Sequence, residues 1–113
     1  MSSKLFDSIK NEILGQEYDL SLVFTTSTKM LELNRRYRGL DKPTDILSFP
    51  LSEKSGEIFI CRSEAKKEAP KFDRAGENFI LFLFVHGLVH LKGYDHGPEM
   101  DKLEKKYREK FGI

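Results

Sequence analysis

The chain has 113 residues, 39% hydrophobic and 33% charged, which predicts one globular domain over 1–113 and excludes a disordered segment or a protein with two cores. The formal net charge of +1 excludes attraction to nucleic acid through bulk charge, so such a role would need a local patch. A single cysteine, Cys61, excludes an internal disulfide and fits a reducing compartment.

The first ten residues, MSSKLFDSIK, lack the apolar core and small-residue cleavage site of a signal peptide. Residues 4–14 then bring Leu5, Phe6, Ile9, Ile13 and Leu14 near one helical face, with Gly15 as the stop. Leu20 to Thr25 alternates, with Leu20, Leu22 and Phe24 on one side, and predicts a strand. Thr26 and Ser27 can cap a second helix through Tyr37, packed by Met30, Leu31, Leu33 and Tyr37 and ended by Gly39. After the turn-like Asp41-Lys42-Pro43-Thr44, residues 45–49 (DILSF) predict a strand closed by Pro50. Residues 51–56 read as a polar turn, and Ile58, Phe59 and Ile60 as a further strand.

Arg62 to Glu68 predicts a short helix halted by Pro70. Asp73 can cap a long helix to about Leu91, with Glu77 in its early turns. That helix is apolar on nearly every side, which places it at the centre of the core. Its stretch from Asn78 to Leu91 is too short to span a bilayer and carries two histidines. A charged helix from Pro98 to Lys110 completes the chain. The predicted order is α-β-α-β-β-α-α-α. The fold class is α+β: a small mixed β-sheet packed by helices, with a central buried helix that carries metal-binding histidines. The protein is expected to be soluble and cytoplasmic, with no membrane partner.

The segment HGLVHLKGYDH contains every histidine of the chain, His86, His90 and His96. His86 and His90 are four apart, so a helix sets them on one face at a spacing that suits two ligands of one tetrahedral ion. Gly93 lets the backbone leave the helix and bring His96 back toward the same ion. Three neutral imidazoles favour zinc or a similar transition metal over magnesium or calcium. Three protein ligands leave a fourth position for water, the arrangement of catalytic sites. The spacing H-x-x-x-H-x-x-G-x-x-H also occurs in metzincin peptidases, which place a general-base Glu directly after the first His. Here that position is Gly87, so the peptidase mechanism lacks its proton acceptor.

A second segment, residues 33–50, is locally positive through Arg35, Arg36, Arg38 and Lys42, partly offset by Asp41. It reads as a solvated helix face with a capped turn, or as an edge that grips phosphate through guanidinium groups.

Together these segments resemble the YbeY family, bacterial rRNA maturation factors described as metal-dependent endoribonucleases. HGLVHLKGYDH is similar to the family's H-G-x-L-H-L-x-G-Y-D-H signature, with Val89 for the usual Leu. YRGLDKPTDILSFP is similar to its Y-R-G-x-D-x-P-T-D-V-L-S-F-P segment, and GEIFIC to its G-D-I-x-I-C strand, with Glu57 for the commoner Asp. The resemblance implies 16S rRNA 3′-end maturation, ribosome quality control, and single-stranded RNA as substrate. It implies one zinc ion on His86, His90 and His96, and catalytic roles for Arg38 and His86. It also implies the ribosome or a ribosomal protein as partner. The chain departs from typical members in being shorter, in beginning near the first helix, and in its abbreviated loop between Pro50 and Gly56. A sheet one strand smaller is therefore expected. No general base accompanies the histidines in the sequence. That gap supports a rival reading, a non-catalytic zinc-containing assembly factor that binds rRNA or a ribosomal protein. Asp95 is a candidate to orient a histidine, Tyr94 reads as packing, and Cys61 reads as a buried small residue rather than a fourth ligand.

Overall fold

A computed structural model describes residues 3–113. The chain runs α1 (Ser3–Leu14), β1 (Asp19–Phe24), α2 (Ser27–Arg38), β2 (Ile46–Ser52), β3 (Ser55–Ile60), α3 (Arg62–Glu68), a 3-10 turn (Ala69–Phe72), α4 (Gly76–Leu91) and α5 (Pro98–Phe111). The strands form one mixed sheet in the order β1-β3-β2. β1 runs parallel to β3, with Leu22 opposite Ile58, and β2 runs antiparallel, with Ser48 opposite Ile58. The α+β class, the small mixed sheet and the buried central helix are as the sequence predicts.

Side-chain alternation along the strands divides the core into two layers. Ile58 and Ile60 point to one face and pack with Ile9 and Ile13 of α1 and with Phe79, Leu83, Phe84, Val85 and Leu88 of α4. Leu47 and Cys61 point to the other face, where Met30 and Leu33 of α2 cover them and Phe49 and Phe59 pack alongside. Burial of apolar area on both faces supplies the main driving force, at about 25 cal/mol per Å². α4 therefore lies between the sheet and the outer helices. No helix among the described residues is long and apolar enough to cross a membrane.

Three local expectations need correction. β2 continues through Pro50 to Ser52, and the turn shrinks to Glu53-Lys54. Proline is tolerated because β2 is an edge strand, where a missing N–H breaks no ladder, and the pairing shifts register between Pro50 and Ser52. Asp73 does not cap α4. It adopts a left-handed conformation (φ 54°) that closes the 3-10 turn, and the N-cap position of α4 is Ala75, with no side-chain bond. Tyr37 does not pack into the core. It is 59% exposed, and Asn34 takes a place on the buried face beside Met30 and Leu33. The other boundaries agree to within about two residues. Thr26 caps α2 as predicted, its Oγ1 accepting from the Lys29 N–H at 3.1 Å.

Candidate metal centre

The site is built on the last two turns of α4 and the turn that follows. After Leu91 the helix closes with the Lys92 N–H donating to the Leu88 carbonyl and the Gly93 N–H to the His90 carbonyl, both at 2.9 Å. Gly93 has φ 112°, a conformation open mainly to glycine, and it turns the chain back over the helix end. That reversal carries His96 to the face that His86 and His90 already share. The ring centroids lie 4.7 Å apart for His86 and His90, 4.7 Å for His90 and His96, and 5.3 Å for His86 and His96. One nitrogen from each ring lies within 4.8 Å of the others.

Hydrogen bonds fix two of the rings. His90 Nδ1 lies 3.0 Å from the Tyr94 carbonyl, and His86 Nδ1 lies 2.9 Å from Glu104 Oε1. A carbonyl and a carboxylate accept, so each Nδ1–H donates and each Nε2 keeps its lone pair for a metal. Burial, with His86 close by, pushes the His90 imidazole below its ordinary value. The neutral, ligating form of His90 is thereby held to lower pH than in a free imidazole.

Glu104 is the residue that sequence reasoning missed. It is 5% exposed on α5, among the apolar residues Met100, Leu103 and Tyr107 that pack on the core. A buried carboxylate is costly unless a positive charge or strong donors compensate it, and its bond to His86 connects it to whatever cation the imidazoles hold. The signal was available, since an acid at 104 falls on the apolar stripe 100, 103, 104, 107. Asp95 is exposed, and the turn contributes the Tyr94 carbonyl in its place. Tyr94 packs partly buried on the core, and Cys61 is fully buried on the far side of the sheet, within hydrogen-bond reach of Ser27 and Ser63. The donor set thus suits a zinc-like ion: three imidazoles converge, two with fixed tautomers, backed by a buried carboxylate. Glu104→Ala is expected to weaken zinc binding by about 10–100-fold, read by titration against a chelating dye, with Glu104→Gln intermediate because its amide oxygen still accepts.

The histidines open on a cleft of about 510 Å³. Its opposite wall is the outer edge of β2, from Ile46 to Pro50, together with Thr44, Asp45 and Arg38. The structure therefore brings Arg38 and the three histidines to one cavity, although they are far apart in sequence. Arg35 is tied to Asp41 by an ion pair, whereas Arg38 makes no ion pair among the described residues. Asn34 sets this edge. Its Nδ2 donates to the Lys42 carbonyl at 2.7 Å, while its backbone carbonyl accepts from the Gly39 and Leu40 N–H groups. The chain after α2 is thus pinned where Arg38 can face the cleft. Asp45 lines the same cavity, and burial, reinforced by Glu68, pushes its carboxyl up.

Gly87 fills the position where a metzincin carries its glutamate. A Cβ there would lie 2.9 Å from Ser48 Oγ and 3.0 Å from the Cδ1 atoms of Ile46 and Ile58. The position packs against the sheet where Ile46 and Ser48 form the cleft wall, so it holds glycine for close helix–sheet approach and leaves no room for a glutamate. Gly87→Glu is expected to cost about 3 kcal/mol or more, from overpacking and burial of a charge, read as a fall in denaturation midpoint.

A family model described as Endoribonuclease YbeY matches residues 2–112. The Endoribonuclease YbeY of Thermotoga maritima is 35% identical over 117 residues, covering 96% of this chain and 77% of the relative. The protein of the same name from Staphylococcus carnosus is 36% identical, covering 89% and 74%. A Thermotoga maritima protein of known solution structure superposes with a TM-score of 0.67 at 35% identity, covering 98% of this chain and 84% of that one.

Proposed function

The chain belongs to the YbeY family, and from that premise we propose that it is a zinc-dependent endoribonuclease cleaving single-stranded ribosomal RNA. The observation that carries this reading is the cleft in which three convergent imidazoles and Arg38 line one cavity. Its finer role is maturation of the 16S rRNA 3′ end and ribosome quality control in the cytoplasm, with the ribosome or a ribosomal protein as partner.

When bound, a zinc-like ion supplies Lewis-acid chemistry at a phosphoryl oxygen or at water. His86, His90 and His96 hold it, and Glu104 and the Tyr94 carbonyl keep the first two rings oriented. Arg38 binds a non-bridging oxygen of the scissile phosphate and neutralises the charge that grows there. Asp45, on the wall of the same cleft, supplies the carboxyl base. Its raised pKa brings it closer to the range in which a carboxyl exchanges protons at working pH. As a base it must be ionised, so activity falls as the pH drops through that raised value. Asp45→Asn is expected to lower kcat by about 10²–10⁴-fold and to flatten the acidic limb of the pH–rate profile.

The test is metal content and cleavage of single-stranded rRNA fragments on the same purified sample, with and without chelator. About one zinc per chain, with cleavage that stops on chelation and returns with zinc, supports the enzyme. Zinc with ribosome binding but no cleavage would move the assignment to the assembly factor.

A further inference from the structure

We propose that Tyr37, backed by Phe49, is a stacking platform for one unpaired base beside the scissile phosphate, and that it gives the cleft its preference for single strands. The proposal rests on the ribonuclease reading above and adds a binding subsite to it.

Tyr37 lies in the last turn of α2 and is 59% exposed, an unusual place for a large aromatic group that packs into neither layer of the core. The ring is not loose. Its centroid lies 5.2 Å from that of Phe49, which lies 6.0 Å from Phe59, so three rings step from the sheet out to solvent. Phe49 is half-buried and lines the metal cleft along the β2 edge, and Tyr37 packs on it from α2 next to Arg38, which lines the same cavity. Tyr37 and Arg38 are consecutive at the end of α2, and Arg38 lines the cleft, so the helix end carries an aromatic ring next to a guanidinium at the cleft's edge. A nucleotide offers the matching pair, a flat base and an anionic phosphate.

Single-stranded nucleic acid is held by this combination of cation and aromatic face, and stacking is tolerant of sequence because every base has a π-face. In a duplex the bases already stack on each other, so Tyr37 has nothing to receive. The near-neutral chain does not attract RNA through bulk charge, which leaves local contacts such as this one to supply affinity.

The experiment measures binding of short, cleavage-resistant 2′-O-methyl phosphorothioate RNA to the zinc-loaded protein. Wild type, Tyr37→Ala and Tyr37→Phe are compared on intact strands, on strands lacking one base at each position in turn, and on a duplex. Tyr37→Ala is expected to weaken binding of the intact strand by about 5- to 150-fold, the range of one base–aromatic stack, while Tyr37→Phe keeps it. One abasic position should weaken wild type by a similar factor and leave Tyr37→Ala no further loss. Duplex binding should not change. Equal binding of the intact strand by Tyr37→Ala and wild type would overturn the platform while leaving the ribonuclease reading in place. So would an equal loss on intact and abasic strands at every position. If wild type binds no RNA strand at all, both readings fall together.

Discussion

His86→Ala/His90→Ala is expected to leave purification without zinc and to cleave single-stranded rRNA at least about 10³-fold more slowly than wild type, since Lewis-acid stabilisation is worth several kcal/mol. Two of the three converging imidazoles are removed, and the exposed His96 alone cannot retain the ion. The fold should persist at lower stability, because His86→Ala leaves the buried Glu104 carboxylate without its hydrogen-bond partner. Alanine is the best helix former, and both positions line the cleft and are only half-buried. Circular dichroism should therefore match wild type, and metal analysis and cleavage should fail together. Cleavage at the wild-type rate by this variant would remove the metal centre from the mechanism. A wild-type rate in chelator alone would do the same by an independent route.

How much of this site could be read from the sequence depends on whether the interaction is local. The His86–His90 spacing and the Gly93 turn lie within one short segment, where helical geometry and the freedom of glycine dictate the outcome. The ends of α2 are similarly local, with Thr26 as cap and Gly39 (φ 66°) as left-handed stop. Contacts between distant segments were not legible in the same way. Glu104 meets His86 across a helix–helix interface, and the Asn34 bond to the Lys42 carbonyl depends on how the chain after α2 returns. By its ordinary effect Pro50 predicts a strand end, and it lies in a strand interior only because β2 is an edge. Tyr37 follows the apolar period of α2, but there it meets Phe49 of the edge strand and stays 59% exposed. Gly87 separated this chain from the peptidases in sequence, and the structure supplies the steric reason.

Arg38→Ala is expected to lower kcat/KM for single-stranded rRNA by about 10²–10³-fold, the loss seen when one preorganised donor is removed from a developing negative charge. The effect should be confined to this arginine. Arg35 sits three residues earlier on the same helix, but its guanidinium is held by Asp41 and it does not line the cleft. Arg35→Ala should therefore change cleavage little, since an exposed ion pair contributes about 0–1 kcal/mol to stability and its loss leaves the cleft untouched. Zinc content should remain at the wild-type level in both variants, because neither residue belongs to the imidazole cluster. Arg38→Lys separates charge from geometry. A lysine restores the positive charge as a point, without the planar fork that binds two phosphate oxygens at once. If the role is bidentate, most of the loss remains in Arg38→Lys. If charge alone steadies the phosphate, Arg38→Lys recovers most of the rate. A zinc-loaded Arg38→Ala that cleaves as fast as wild type would take the phosphate-binding role away from this wall of the cleft. The transition-state charge would then have to be met by the ion and the open edge of β2.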